Sequence, residues 1–215
     1  MKIEVGKERT PNFKEWWENQ YEVFSHFEYA CGIPHTLFAI TTFKDNGKPN
    51  VSFHSWSSFG GEGSGFYAIM AGLFDNTHAY KDILRTGEFC INFMSAEYYD
   101  RLIETISKND FEADEFVVGG FTQEKAKLID APRIKESFLS LECKLHSTLK
   151  LKKNDRTSLV IGEVINIAID EDYARGIDKK YYAEGFMFNI HAPKNMHVDE
   201  DSQSAIAACN IIRNL

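Results

Sequence analysis

The sequence of 215 residues lacks the features that mark several large classes of protein. Lys and Arg number 24 against 32 Asp and Glu, and the net charge of −8 gives no reason to expect binding to nucleic acid or an anionic membrane surface. The most apolar run, residues 66–74, is far shorter than the roughly 20 residues that span a bilayer. The first ten residues, "MKIEVGKERT", are too charged for a secretion signal. We therefore expect a cytoplasmic protein with no nucleic-acid or membrane partner.

Motifs for metal, dithiol and nucleotide sites are missing as well. The cysteines form no CxxC pair, so we expect reduced, mostly buried thiols. In "FGGEGSGF" no register gives GxGxxG and no GK[ST] follows, so the glycines are interpreted as a turn between strands. His191 and His197 have no helical ligand spacing, and no metal site is predicted. The four widely separated cysteines are Cys31, Cys90, Cys143 and Cys209.

What the sequence does contain is a series of short strands. The runs "HTLFAITTF" and "NVSFH" flank Asn46-Gly47, the strongest short hairpin signal in a sequence. Residues 66–73 and "EFCINFM" follow as strands, and "LSLECKL" alternates like a half-buried strand that pairs with "LVIGEVINIAID" across "KKNDRT". Because most strands adjoin by short turns, the pattern favours one mainly antiparallel sheet or barrel with flanking helices.

Helical spacing predicts three helices around this sheet. The first covers residues 13–27 with an aromatic stripe for packing, and the second lies in "NTHAYKDILR" and stops at Gly87. Ser95 can cap the third, which has an apolar face. Residues 108–135 lose periodicity and are interpreted as a long surface excursion, and a last strand is possible over residues 205–213. The apolar face comprises Tyr98, Tyr99, Leu102, Ile103 and Ile106.

Two serines interrupt the alternation of the return strand. Val51 and Phe53 share one parity, and Ser55 and Ser57 occupy the next two positions where that parity calls for apolar side chains. Successive side chains of a strand point to opposite faces, so these hydroxyls are predicted to face whatever Val51 and Phe53 pack against.

The start of the second helix has the features of an anion site. If Asn76 or Thr77 is the N-cap, no Glu or Gln stands three residues on to form a capping box, so first-turn amides remain free. Thr77, Lys81 and Arg85 then follow along one face, and a hydroxyl with two cations suits a phosphate. The alternative is an exposed basic face with an ordinary Thr cap.

The order of these segments resembles the flavin reductase-like, FMN-binding split-barrel proteins, which include flavoredoxins. The resemblance runs through "GKPNVSFHSWSS", "DNTHAYKDILRTGEFCINF", "FTQEKAKLIDAPRIKESFLSLECKL" and "LVIGEVINIAIDE". It implies a split β-barrel core over residues 34–171, with an N-terminal helical extension over 1–33 and a C-terminal extension over 172–215. Family members commonly carry an acidic residue and a proline pair where this chain has "GGEGSG".

The resemblance also implies an FMN site and its residues. Ser55, Trp56, Ser57 and Ser58 would line the ring and phosphate side. The phosphate itself would be met by Asn76, Thr77, Tyr80 and Lys81.

The implied chemistry belongs to the flavin, so no acid, base or nucleophile is required and no catalytic residue is assigned. The resemblance implies NADH or NADPH as a transient donor, a small-molecule or protein electron acceptor, and a homodimer with its sites at or near the subunit boundary. Two alternatives stay open. One is a flavoredoxin-like carrier that takes electrons from a protein partner, and the other is a barrel that binds a non-flavin ligand or is structural.

Overall fold

The computed structural model describes residues 2, 4–9, 15, 18–176, 178–193 and 202–213. They divide into a terminal unit (Met1–His35 and Phe188–Ala207) and a barrel unit (Thr36–Met187 and Ala208–Leu215). In chain order the elements are α1 (Gln20–Val23), α2 (His26–Cys31), β1 (His35–Thr36), β2 (Phe38–Phe43), β3 (Pro49–His54), β4 (Ser57–Glu62), β5 (Gly65–Phe74), α3 (His78–Thr86), β6 (Glu88–Phe93), α4 (Tyr99–Ser107), α5 (Glu115–Gly119), β7 (Gln123–Glu124), β8 (Arg133–Ile134), β9 (Leu139–Leu149), β10 (Thr157–Ile169), α6 (Glu171–Ala174), β11 (Met187–Pro193) and β12 (Ser202–Ala208).

The barrel unit is built on one seven-stranded sheet in the order β3-β2-β6-β9-β10-β5-β4, and its neighbouring strands pair antiparallel. Only residues 55 and 56 separate the two end strands, β3 and β4, along the chain. The sheet must therefore curl until its ends meet, and it opens between them. The predicted mainly antiparallel split barrel is confirmed.

Local signals account for the two hairpins nearest the opening. Between β2 and β3 the Gly47 amide donates to Lys44 O at 2.9 Å, and Gly47 takes a φ of 79°, which glycine adopts without strain. Between β4 and β5 the loop has two residues, and Gly63 at the first has a φ of 62°, as a type II′ turn requires. Only Gly63 of the glycines interpreted as a turn lies in it, because Gly60 and Gly61 belong to β4, a strand that was missed, and Gly65 begins β5.

The barrel interior is filled by apolar side chains of the sheet and of α3. Phe38 and Ile40 of β2 face this core, as do Phe89 and Ile91 of β6 and Ile83 of α3. Cys90 and Cys143 are buried and burial raises the pKa of both thiols, whereas Cys31 is exposed and Cys209 half-buried. The expectation of mostly buried thiols therefore holds for two of the four.

The prediction of one helix over residues 13–27 is wrong for residues 18–27, which the structure describes. Asn19 has a left-handed φ of 64°, α1 ends at Val23, and Phe24 is extended. The Ser25 hydroxyl then accepts the Phe27 amide and starts a second helix, because a serine side chain competes for backbone groups and favours caps. Phe13, Trp16 and Trp17 lie outside the described residues.

The aromatic side chains in the described part of this segment nevertheless pack against other rings, as expected. The rings of Tyr21 and Tyr29 meet edge to face at 5.1 Å, and Tyr29 lies 4.3 Å from the ring of His191 within the same unit. His191 also hydrogen-bonds Ser204 at 2.8 Å, so it is a satisfied histidine, as expected. His197 lies outside the described residues. The last strand is β12, which shares only residues 205–208 with the predicted 205–213.

Residues 108–135 pack on the barrel and are not the predicted surface excursion. Ala126, Ile129 and Ala131 are buried against Cys90 of β6. The same segment covers the polar face of β9, where Glu142 is buried and accepts the amides of Lys127 and Leu128 at 2.8 Å each. The β9 strand is therefore covered on both faces near Glu142 instead of half-buried.

The predicted apolar face of α4 is only partly buried. Leu102 is buried, but Ile103 and Ile106 are 38% and 49% exposed. Ser95 precedes the helix without capping it, since its hydroxyl donates to Glu97. Among the described residues, no helix is long and apolar enough to cross a membrane.

Candidate functional site

The serine-rich stretch occupies the opening of the barrel. Ser55 and Trp56 belong to neither strand, and the Trp56 carbonyl accepts the amide of Ala71 at 2.8 Å. Ser57 opens β4 opposite the core residue Met70, and the exposed Ser58 lies opposite Ile69. Residues directly opposite each other in a ladder share a face, so Ser57 points to the core and Ser58 away from it.

The prediction that Ser57 continues the face of Val51 and Phe53 is wrong. Phe53 contacts the ring of Tyr99 in α4, outside the core that Ser57 faces. The chain leaves the sheet at Ser55 and Trp56 and re-enters it as β4, so the period of two is interrupted there.

Two buried polar atoms flank Trp56 without a partner. Ser57 Oγ and His54 Nε2 are shielded from solvent and form no hydrogen bond within the described chain. His78 Nδ1 and Arg133 Nε also lack hydrogen bonds, but carboxylates lie 3.8 and 2.9 Å from them. Burial lowers the pKa of His54 to about 4, against an ordinary 6.5. His54 is therefore neutral at pH 7, and sequence reasoning did not select it.

The indole of Trp56 covers this corner of the site. It lies 6.4 Å from the His54 ring, nearly perpendicular to it. The indole also packs against Gly72, which has a φ of 74° and where a Cβ would stand 2.7 Å from the indole. Glycine is required at this position for both reasons, backbone conformation and space.

The second group of residues stands where β5 passes into α3. Thr77 is the N-cap, and its hydroxyl accepts the Tyr80 amide at 3.3 Å and donates to Phe74 O at 2.8 Å. The first two helical amides, of His78 and Ala79, have no acceptor within the helix. Gly87 ends the helix with a φ of 70°. The predicted helix and its open N-terminus are confirmed.

The cations of this helix differ in what they contact. Lys81 is exposed and makes no ion pair with any residue that the structure describes. Arg85 instead binds Asp82 at 3.1 Å and donates to Phe43 O. Of the two cations expected to serve one anion, Arg85 is thus already engaged elsewhere.

Tyr80 and Asn76 face the turn between β9 and β10. The Tyr80 hydroxyl is hydrogen-bonded to the Ser158 hydroxyl at 3.1 Å. The Ser158 hydroxyl donates to Asp75 at 2.8 Å. The Asp75 carboxylate also pairs with Lys150, and this cation lowers the pKa of Asp75. Asn76 is exposed and lines a cavity of about 510 Å³. The lining residues are Phe74, Asp75, Asn76, Asp155 and Arg156.

Arg156 is a cation that sequence reasoning missed. It belongs to the polar run "KKNDRT", which predicted only a turn, and it lines the same cavity as Asn76 because β10 pairs with β5. The Asp75 amide donates to Arg156 O at 3.0 Å and fixes the turn beside the start of α3. No local pattern joins residues 76 and 156.

The inner face of α3 lies on a buried ion pair. Lys44 Nζ donates to Glu115 Oε1 at 3.2 Å, and both side chains are within 1% of fully buried. The Val51 amide donates to Glu115 Oε2 at 2.6 Å. Burial raises the pKa of Glu115, although the Val51 amide and Lys44 act to lower it. His78 Nδ1 stands 3.8 Å from the same carboxylate, and burial lowers the pKa of His78.

The structure brings the two predicted groups to one end of β5. Trp56 is bonded to Ala71, and Asn76 follows five residues later, at most about 18 Å along the chain. The end of β5 and the buried start of α3 connect the serine-rich stretch with the residues around Asn76. In the part of the chain described, no three His, Cys, Asp or Glu side chains could hold a metal ion.

Solved structures with the same fold are found in several organisms. Flavoredoxin of Desulfovibrio vulgaris (Miyazaki F) is 21% identical with a TM-score of 0.68, covering 85% of this chain and 90% of its own. A protein of Shewanella frigidimarina described as having a split barrel domain is 21% identical with a TM-score of 0.67, covering 94% and 98%. NADH:FAD oxidoreductase SgcE6 of Streptomyces globisporus is 13% identical with a TM-score of 0.61, covering 81% and 92%. At these identities the likeness shows the fold.

Sequence comparison supplies the family. An uncharacterized protein of Aquifex aeolicus (strain VF5) is 28% identical over 142 residues, which are 65% of this chain and 71% of that protein. The family described as "Flavin reductase like domain" matches residues 30–187, which include the serine stretch, α3 and Arg156. The chain therefore belongs to the flavin reductase-like family of flavin-binding oxidoreductases.

Proposed function

We propose that the protein binds FMN and passes electrons from NADH or NADPH, through that flavin, to free flavin or to another acceptor. One observation carries the proposal. At a single end of β5 the fold presents a polar, aromatic wall with unpartnered buried atoms and, beside it, an open helix N-terminus with an exposed cation. The first suits a heteroaromatic ring with polar edges, and the second suits a phosphate.

The residues present fit the two ends of FMN. Ser55, Trp56 and Ser57 border the opening, and the Ser57 hydroxyl lacks the partner that a ring carbonyl or nitrogen would provide. On the phosphate side, Lys81 and the first amides of α3 supply the positive charge. Thr77 contributes by fixing the helix start, since its hydroxyl is already bonded in both directions.

The flavin, when bound, supplies hydride and one-electron transfer. The chain has to hold the ring, shield one face from water and leave the other open to a donor. A dinucleotide needs no fixed site for such a brief encounter, which is consistent with the absence of a GxGxxG motif. The name of the Streptomyces protein, an NADH:FAD oxidoreductase, supports a pyridine nucleotide as donor here.

The likeness to flavoredoxin favours a second function, a carrier that receives electrons from a protein partner. An anaerobic titration with NADH and NADPH separates the two. Rapid bleaching of the flavin absorbance at stoichiometric NADH or NADPH supports the reductase, whereas a flavin that stays oxidised and is bleached by dithionite supports the carrier.

Lys81 provides the test of the flavin site. In Lys81→Ala one charge-assisted contact of roughly 1.5–3 kcal/mol is lost, so FMN should bind about ten- to a hundredfold more weakly. Riboflavin lacks the phosphate and should bind unchanged. The measurement is the pair of dissociation constants by fluorescence quenching, with Lys108→Ala, which removes an exposed helical cation paired with Glu104, as control.

The outcomes of that test are distinct. If both dissociation constants rise in parallel, the variant has damaged the ring side or the fold. If neither moves, Lys81 is only a solvated cation and the phosphate lies elsewhere, for example beside Arg156 in the cavity.

We also propose a homodimer with the flavin sites at or near the subunit boundary, as expected for the family. An isologous pair is the commonest assembly of a soluble chain. Light scattering at micromolar concentration should give twice the chain mass of 24.6 kDa. A monomer mass would contradict this part of the proposal and leave the flavin site untouched.

A further inference from the structure

His54 stands apart from the other residues at the opening because half of its ring is bonded and half is not. It is the last residue of β3 and lies opposite Phe38, whose ring meets the imidazole edge to face at 5.6 Å. On its other side is the indole of Trp56. Nε2 is the atom that has no partner among the described residues.

The bonded half fixes the tautomer of the ring. Backbone groups of Ala71 and Trp56 form hydrogen bonds to His54 that favour its protonated form, so they are carbonyl oxygens that accept an N–H. Because Nε2 has no partner, the donating atom is Nδ1. A neutral imidazole that donates from Nδ1 carries a lone pair on Nε2. The unpartnered atom is therefore an acceptor, which needs an N–H or O–H donor.

We propose that His54 Nε2 accepts a hydrogen bond from the ring N–H of the flavin, at N3 of its pyrimidine edge. This inference rests on the proposed flavin function and adds the orientation of the ring. The oxidised isoalloxazine has one N–H, and it lies between two carbonyls. An acceptor at that position selects a ring with an imide edge and sets which edge enters the opening.

The neighbours of His54 agree with this role. Within the described part of the chain the ring contacts Phe38, Trp56 and the backbone of Ala71, none of which carries a charge, so the imidazole stays neutral and keeps its lone pair. Solvent does not reach Nε2, and the half-buried indole of Trp56 lies beside the His54 ring. A histidine kept merely for packing could be replaced by Phe without any loss of binding, and this difference can be measured.

The experiment uses the full chain and two ligands without phosphate, riboflavin and 3-methylriboflavin, whose N3 carries a methyl group in place of hydrogen. The native protein should bind riboflavin about tenfold more tightly. His54→Phe should bind both ligands equally, near the weaker native value. His54→Gln keeps an acceptor oxygen and should retain several-fold discrimination, and His146→Phe, at an exposed position on β9, should retain all of it.

Each other outcome overturns the inference. If His54→Phe still discriminates between the two ligands, N3 meets another residue. If it binds riboflavin as tightly as the native protein, His54 is a packing residue. Should His54→Phe fail to fold, the native protein and His54→Gln still test the inference. Equal affinity of the native protein for the two ligands excludes an N3 contact, and full native discrimination in His54→Gln assigns N3 to another residue. A native protein that binds neither ligand contradicts the proposed function itself, which the Lys81 comparison examines separately.

Discussion

The barrel unit contains two groups of buried polar atoms, one under α3 and one at the opening, which differ in whether their atoms form hydrogen bonds. Under α3, Lys44 Nζ has three acceptors, Asp110 O at 3.0 Å, Ala113 O at 2.7 Å and Glu115 Oε1 at 3.2 Å. With its amide nitrogen turned toward the carboxylate, Asn50 donates to both Glu115 oxygens at 3.2 Å. At the opening of the barrel, Ser57 Oγ and His54 Nε2 have no partner within the described residues.

The difference separates a polar cluster that is satisfied within the fold from one that is not. A buried polar atom without a hydrogen bond costs about 1–3 kcal/mol, so a chain of marginal stability keeps few of them. The cluster of Lys44 and Glu115 avoids that cost by internal bonds and holds α5 and the loop before it against β2 and β3. At the opening the cost remains in the free protein, and under the proposed function a bound ring with polar edges would remove it.

The largest effect is expected where the polar groups are satisfied. Lys44→Met leaves the buried Glu115 carboxylate without its cation, which should lower the free energy of unfolding by about 3–5 kcal/mol. Urea denaturation at pH 7 measures it. The double variant Lys44→Met/Glu115→Leu replaces the pair by apolar groups and should recover most of the loss. A single variant that loses less than about 1 kcal/mol would show that the pair does not hold this region.

A smaller effect is expected from pH at the opening. The pKa of His54 is lowered from 6.5 to about 4, so between these values the unfolded chain binds a proton that the folded chain does not. Stability therefore falls as pH falls, and from pH 7 to pH 5 His54 should account for about 2 kcal/mol. Burial also lowers the pKa of His35, His78 and His191, so they act in the same direction.

The contribution of His54 is read as the difference between the native protein and His54→Phe. Both are unfolded in urea at pH 7 and pH 5, and the variant should lose about 2 kcal/mol less. Equal losses in the two proteins would mean that His54 is accessible to protons in the folded state, and the contrast with the Lys44 cluster would then disappear.

The smallest effect concerns the other unpartnered atom. Ser57→Ala removes a buried hydroxyl without a bond, so stability should stay constant or rise by up to about 1 kcal/mol, while riboflavin binds roughly three- to tenfold more weakly. Thermal unfolding and fluorescence titration measure the two changes, with Ser107→Ala at an exposed helix end as control. A loss of stability with unchanged binding would assign the Ser57 hydroxyl to the fold.

Much of the fold could be predicted because its signals are local. Asn46 and Gly47 determine a hairpin within five residues, and Thr77 and Gly87 bound α3 through a cap and a left-handed glycine. The antiparallel order of the sheet follows from short turns in the same way. Two errors have the opposite origin. The helix predicted over residues 13–27 is interrupted at Phe24, and part of the segment 108–135, around Ala126 to Ala131, is buried by contacts with β6 and β9.

The sequence by itself determined which residues could form a flavin site, since the serine stretch and the start of α3 are each contiguous and carry their chemistry in their side chains. Only the tertiary structure decided which of those side chains face inward. The bend at Ser55 and Trp56 reverses the expected face of Ser57, because a strand keeps its period of two only while the ladder continues. The pairing of β10 with β5 places Arg156 and Asn76 in the lining of one cavity, and His54 Nε2 is buried without a partner near Phe38 and Trp56. Contacts between residues far apart in the chain leave no local pattern, so burial and unpartnered atoms appear only once the barrel has closed.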